Sequence, residues 1–93
     1  MGEHVFADDD QGYRSWLAAH PNGLVVNSYR TPSASYLPLH SASCRHINRP
    51  FPAHGRTWTE GEYIKVCSLS RDDLDEWARK ATGGQLRECG SCF

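Results

Sequence analysis

Four cysteines stand at positions 44, 67, 89 and 92, and a histidine precedes the first of them by four residues. Cys89-Gly90-Ser91-Cys92 is a CxxC pair and His40-Ser41-Ala42-Ser43-Cys44 is an HxxxC pair. Thiolate and imidazole are the donors zinc takes in structural sites, four of them in a tetrahedron. Two short pairs brought together by a fold supply that number. An even cysteine count also permits two disulfides, but the opening MGEHVFADDDQ is acidic and lacks the apolar core of a secretory signal, and cytosolic thiols stay reduced. A redox CxxC sits at a helix N-terminus after a strand, whereas this one follows a Gly83-Gly84 break. The residues therefore predict one zinc ion held by His40, Cys44, Cys89 and Cys92. Cys67 competes for the fourth place, because an all-cysteine set is chemically as good. Against that, free cysteine is among the most buried residue types. Spacing favours His40, since a pair four residues apart converges on an ion without help from a distant strand.

The second chemical signal is charge. The chain has 93 residues and a net charge of −1, but the charges are unevenly spread. Glu3, Asp8, Asp9 and Asp10 open the chain without a base, and acids return only at Glu60. Between them, from Gln11 to Thr59, lie Arg14, Arg30, Arg45, Arg49 and Arg56 together with His20, His40, His46 and His54. Arginine is the residue of planar, bidentate phosphate and guanine contacts, and an exposed aromatic can stack on a base. Arg30, Tyr36, Arg45, His46, Arg49, His54 and Arg56 are accordingly the candidate contacts to duplex DNA.

These residues need elements to position them. Tyr13, Trp16 and Leu17 recur at helical spacing behind three aspartates, which predicts a helix over 11–19 ended by Pro21-Asn22-Gly23. Leu24–Tyr29 and Tyr36–His40 read as a hairpin, in which Pro38 places the second strand at an edge or shortens it. Residues 41–61 hold two prolines, two glycines and scattered Arg and His, the composition of a long loop. Glu62–Ser68 alternates as a third strand. A helix over 71–81 follows, with Ser70 and Asp73 as a capping box and Leu69 stapling to Leu74. The expected fold is α+β: one domain over 1–93, a three-stranded antiparallel sheet with both helices on one face, stapled by zinc. Val25, Leu37, Leu39, Ile64, Val66, Leu74 and Trp77 are the expected core. No apolar run is long enough to span a membrane, so a cytoplasmic protein without membrane partners is expected.

From His40 to Cys92, the run of HxxxC, strand, S-x-x-x-L helix, glycine and CxxC resembles the zinc-binding module of the Ada family of DNA alkyl-repair proteins. The resemblance covers roughly the C-terminal 55 residues and implies the set His40, Cys44, Cys89 and Cys92, with Cys67 where that family keeps a buried apolar residue. The loop 45–61 is longer than the family's. A histidine in first place cannot be the methyl-accepting nucleophile, which puts self-methylating repair in doubt. Taken whole, with GYRSWLAAHPNGLVVNSYR, PSASYLPLH and YIKVCS, the chain is similar to the N-terminal module of actinobacterial McrA-like type IV restriction endonucleases. That resemblance implies a reader of modified DNA, favouring methylated cytosine, without a catalytic centre of its own and followed by further domains of a larger enzyme.

Two other classes compete. His46-Ile47-Asn48 and His54 invite comparison with HNH nucleases, but Arg49-Pro50-Phe51-Pro52 breaks the helix that motif requires, and no acid stands nearby to bind a catalytic metal. A zinc-stapled adaptor for other proteins would show an exposed aromatic patch around Trp58 and Tyr63.

Overall fold

The structure, a computed structural model, describes residues 2–48 and 58–93. Its elements are β1 (His4–Phe6), α1 (Asp10–Ala19), β2 (Leu24–Tyr29), β3 (Pro38–Ser41), β4 (Tyr63–Ser68), α2 (Arg71–Thr82) and β5 (Arg87–Glu88). The strands form one five-stranded sheet in the order β1-β4-β2-β3-β5, antiparallel except for the parallel β3–β5 pair. The α+β class stands, but the sheet is mixed and has two more strands than the three expected. β1 and β5 are three and two residues long, too short to carry a periodic signal of their own. Each exists because a neighbouring edge offers unpaired backbone groups.

β3 begins at Pro38, two residues later than the alternation suggests. Its pairing with β2 joins Leu39, His40 and Ser41 to Val26, Val25 and Leu24 and ends there, at the residue that has no N–H to give. The proline shortens the strand as expected but does not leave it at an edge, because β5 covers its other side.

The helices lie on opposite faces of the sheet, not on one. Tyr13, Trp16 and Leu17 of α1 pack with Val25 and Cys67, whereas Leu74 and Ala78 of α2 pack with Val26, Leu39 and Val66. Successive strand residues thus bury into different layers, which is why LVV in β2 is apolar without alternation. The expected core residues are buried, apart from Trp77, which is half-buried against the α2 layer. The α1 layer also takes in Ala42, Ile47 and Trp58.

Asp9 caps α1 by accepting from the Gly12 N–H at 2.9 Å, and Gly83 ends α2 in the left-handed region at φ 74°. The capping box at α2 does not form. Ser70 makes no side-chain cap; instead Ser68 Oγ donates to Asp73 Oδ2 and accepts from the Ser70 N–H. Nor does Leu69 staple to Leu74, since Leu69 is 63% exposed.

Candidate metal centre

β3 places His40 opposite Val25, on the sheet face that α1 covers. Beyond β3 the chain folds through two successive turns, closed by Cys44 N–H to Ser41 O and Ile47 N–H to Cys44 O. The core fixes these turns. Ala42 N–H bonds Gly23 O, Tyr13 donates its hydroxyl to Ile47 O at 2.7 Å, and Asn48 Nδ2 donates to Ala42 O at 2.7 Å. From the other side β5 carries Cys89 in, with its N–H on Leu39 O, and a last turn brings Cys92 back through its N–H to Cys89 O.

The ligand atoms of His40, Cys44, His46 and Cys89 all lie within 4.8 Å of one another. His40 Nδ1 is 3.5 Å from Cys44 Sγ, and His46 Nδ1 is 3.7 Å from Cys89 Sγ. Zinc–sulfur and zinc–nitrogen bonds of about 2.3 and 2.0–2.1 Å in a tetrahedron separate neighbouring S and N donors by roughly 3.5 Å. The His40–Cys44 spacing is that of neighbours on one ion, and the His46–Cys89 spacing fits either a shared ion or an N–H···S hydrogen bond. Cys92, an expected ligand, is not among these four mutually close donors, but its thiol interacts with those of Cys44 and Cys89 at the edge of the cluster. The cluster can hold a metal ion.

Electrostatics at His40 and Cys89 suit the deprotonated forms that metals bind, and at Cys92 they oppose deprotonation. Burial, reinforced by His46, lowers the His40 pKa to about 4, so this imidazole is neutral at physiological pH. The Ser91 N–H, 3.4 Å from Cys89 Sγ, and the His46 ring bring the Cys89 thiol down to about 7. Cys92 is pushed up to about 11 by burial, although it accepts the Ser41 N–H at 3.4 Å. Such backbone donors are the partners that hold thiolate ligands in place.

Cys67 does not join the cluster. It lies fully buried in β4, packed in the α1 layer, with its pKa raised by desolvation. Three substitutions separate the roles. Cys89→Ser should abolish metal binding, measured as metal per chain by mass spectrometry. Cys67→Ser should keep the metal and lower stability by about 1–3 kcal/mol, the cost of a buried hydroxyl without a partner. His46→Ala should keep the metal if the other four donors suffice.

The candidate DNA contacts fare unequally. Arg45 is exposed on the turn between Cys44 and His46. His46 is exposed as well, yet its ring reaches the metal cluster, a role the sequence reading missed although the residue stands two positions from Cys44. Arg30 is a staple: four of its five N–H groups go to both Asp8 carboxylate oxygens and to the Gly61 and Thr59 carbonyls. Tyr36 is half-buried among other tyrosines. Arg49, His54 and Arg56 lie outside the described residues, as does Phe51.

Both flanks of 49–57 are nevertheless anchored. Ile47 and Asn48 are tied as above. On the far side Asp10 accepts from the Trp58 N–H at 3.0 Å and from Thr59 N–H and Oγ1, while buried Lys65 donates to Trp58 O at 2.7 Å. Trp58 itself is buried, not part of an exposed adaptor patch.

No protein family, characterised protein or solved structure matches this chain. Among the described residues, no helix is long and apolar enough to cross a membrane.

Proposed function

We propose that this chain is a zinc-organised module that binds duplex DNA. Zinc is the ion favoured by a donor set of thiols and imidazoles that contains no carboxylate. His40, Cys44, Cys89 and Cys92 would be its ligands, and His46 would donate its Nδ1–H to the Cys89 sulfur from outside the coordination sphere. The N–H groups on Cys89 and Cys92, together with the exposure of His46, support that division.

The observation that supports the DNA reading is that three of the clustered donors, His40, Cys44 and His46, lie within the acid-free stretch. The ion would pin residues 40–46, and with them Arg45, directly before the segment that supplies Arg49, His54 and Arg56. Rigidly held arginine and histidine side chains are what the phosphate backbone selects. Preference for methylated cytosine, and service to a type IV restriction endonuclease, follow from the resemblance to McrA-like enzymes.

Titration of the zinc-loaded chain with plain and methylated duplexes at several salt concentrations tests this reading. Binding should weaken steeply with salt. Arg45→Ala should shallow the log–log slope by about one unit if the residue contacts phosphate, or cost about 1–3 kcal/mol on selected sequences if it reads a base. Absence of binding to every duplex at low salt would overturn the proposal in favour of a protein-binding adaptor.

A further inference from the structure

The two residues of β5 face opposite ways, as successive strand residues do. Glu88 pairs with Leu39 on the side that α2 covers, and there its carboxylate accepts from Arg71 Nη1 at 2.7 Å. Arg87 pairs with Pro38, and Cys89 follows two residues later, so both stand on the side of the metal cluster. The ladder fixes this placement: Arg87 N–H bonds Leu37 O at 2.9 Å, and Cys89 N–H bonds Leu39 O at 2.8 Å.

The arginines differ in what they already hold. Arg30 is spent on Asp8, Thr59 and Gly61, and Arg71 lies between Glu88 and Asp75, at 2.7 and 3.8 Å. Arg87 is exposed, and among the described residues its guanidinium has no hydrogen-bond or ion-pair partner. Its neighbour in the chain, Glu88, is turned through the sheet and held by Arg71, so that carboxylate does not compete for it. Arg45, also exposed, stands on the turn between two residues of the cluster. Two segments far apart in sequence thus each bring an arginine to the metal centre.

We propose that Arg87 binds a backbone phosphate of duplex DNA, so that the interface crosses the β5 edge next to the cluster. A guanidinium offers a planar fork of N–H donors that matches two phosphate oxygens, and one left unpartnered at a sheet edge is open to take them. An ion on Cys89 would hold β5 against β3, and with it Arg87 in a fixed position relative to Arg45. Charge along the sequence hides this contact, because Arg87 lies outside the acid-free stretch with an acid beside it. Only the pleat separates the two. The inference rests on the DNA reading and extends its interface to a different part of the chain.

Titration of the zinc-loaded chain with a plain and a methylated duplex over a range of salt tests the contact. Arg87→Ala should weaken binding to both alike and shallow the log–log salt slope by about one unit. Arg87→Lys should keep the slope, since a single positive charge on the phosphate suffices for it. Arg79→Ala is the control: this arginine is exposed as well, but on α2, across the sheet from the cluster, and its loss should leave the slope unchanged. Metal analysis verifies that each variant is zinc-loaded, and Arg87→Gln repeats the test should the alanine variant lose the ion. An unchanged slope in zinc-loaded Arg87→Ala, or an equal change in Arg79→Ala, overturns the assignment while the DNA reading stands. If the unaltered chain binds no duplex at low salt, the DNA reading fails and the phosphate contact with it.

Discussion

Chelation of the proposed zinc ion is expected to abolish the cooperative thermal transition of this domain. The ion would tie together β3, the two turns over 41–48 and the C-terminal CGSC, and β5 at two residues cannot hold that last segment by itself. A structural zinc contributes apparent binding free energy of about 10 kcal/mol or more, while a chain of this length has roughly 5–14 kcal/mol in all. Removing the ion therefore takes away most or all of the margin. Circular dichroism with excess chelator should show loss of the transition, and added zinc should restore it. A metal-free chain that melts sharply at the temperature of the loaded one would contradict this.

The second large effect is expected at Asp10, the first residue of α1. Its carboxylate accepts three hydrogen bonds, from the backbone of Trp58 and Thr59 and from the Thr59 hydroxyl, at 2.6–3.0 Å. Thr59 is fully buried, so Asp10→Ala leaves its donors unsatisfied where water does not reach. A loss of about 3 kcal/mol follows, read from denaturant melts. Burial works against the Asp10 charge, but the bonds from Thr59 and Trp58 outweigh it and hold the pKa below the ordinary 3.8. A carboxyl whose folded pKa is depressed contributes stability above its unfolded value and loses it as pH falls through the folded one. Asp10→Asn should accordingly flatten the stability decline below about pH 4. The same clamp holds one flank of 49–57, so Asp10→Ala should also weaken the proposed DNA binding without altering metal content at neutral pH.

Much of the positioning was legible in the sequence, and the exceptions have physical causes. Tyr13, Trp16 and Leu17 at helical spacing marked α1, and the Leu24–Tyr29 run marked β2 at its observed limits. His40, Cys44, His46 and Cys89 converge because β5 adds to β3, a parallel pairing that no local pattern announces. The face covered by each helix was misread because Glu62–Ser68 alternates, which suggests one buried side, whereas Ile64, Lys65, Val66 and Cys67 are all buried. Lys65 enters the core by donating to the Trp58 carbonyl and lying 5.8 and 6.0 Å from the Tyr13 and Trp58 ring centroids. Charge alone marks Arg30 as a DNA contact, and its partners Asp8, Thr59 and Gly61 are too distant in sequence for any local pattern to show them. Charge likewise points His46 toward DNA, and only the turn after Cys44 reveals that its ring faces Cys89.

Native mass spectrometry of the freshly purified chain, paired with thiol counting after denaturation, tests the zinc centre most directly. One zinc ion per chain and four free thiols are the predicted result, with the ion lost in Cys89→Ser and kept in Cys67→Ser. A folded chain that carries no metal, or two disulfides in place of the thiols, would contradict the account.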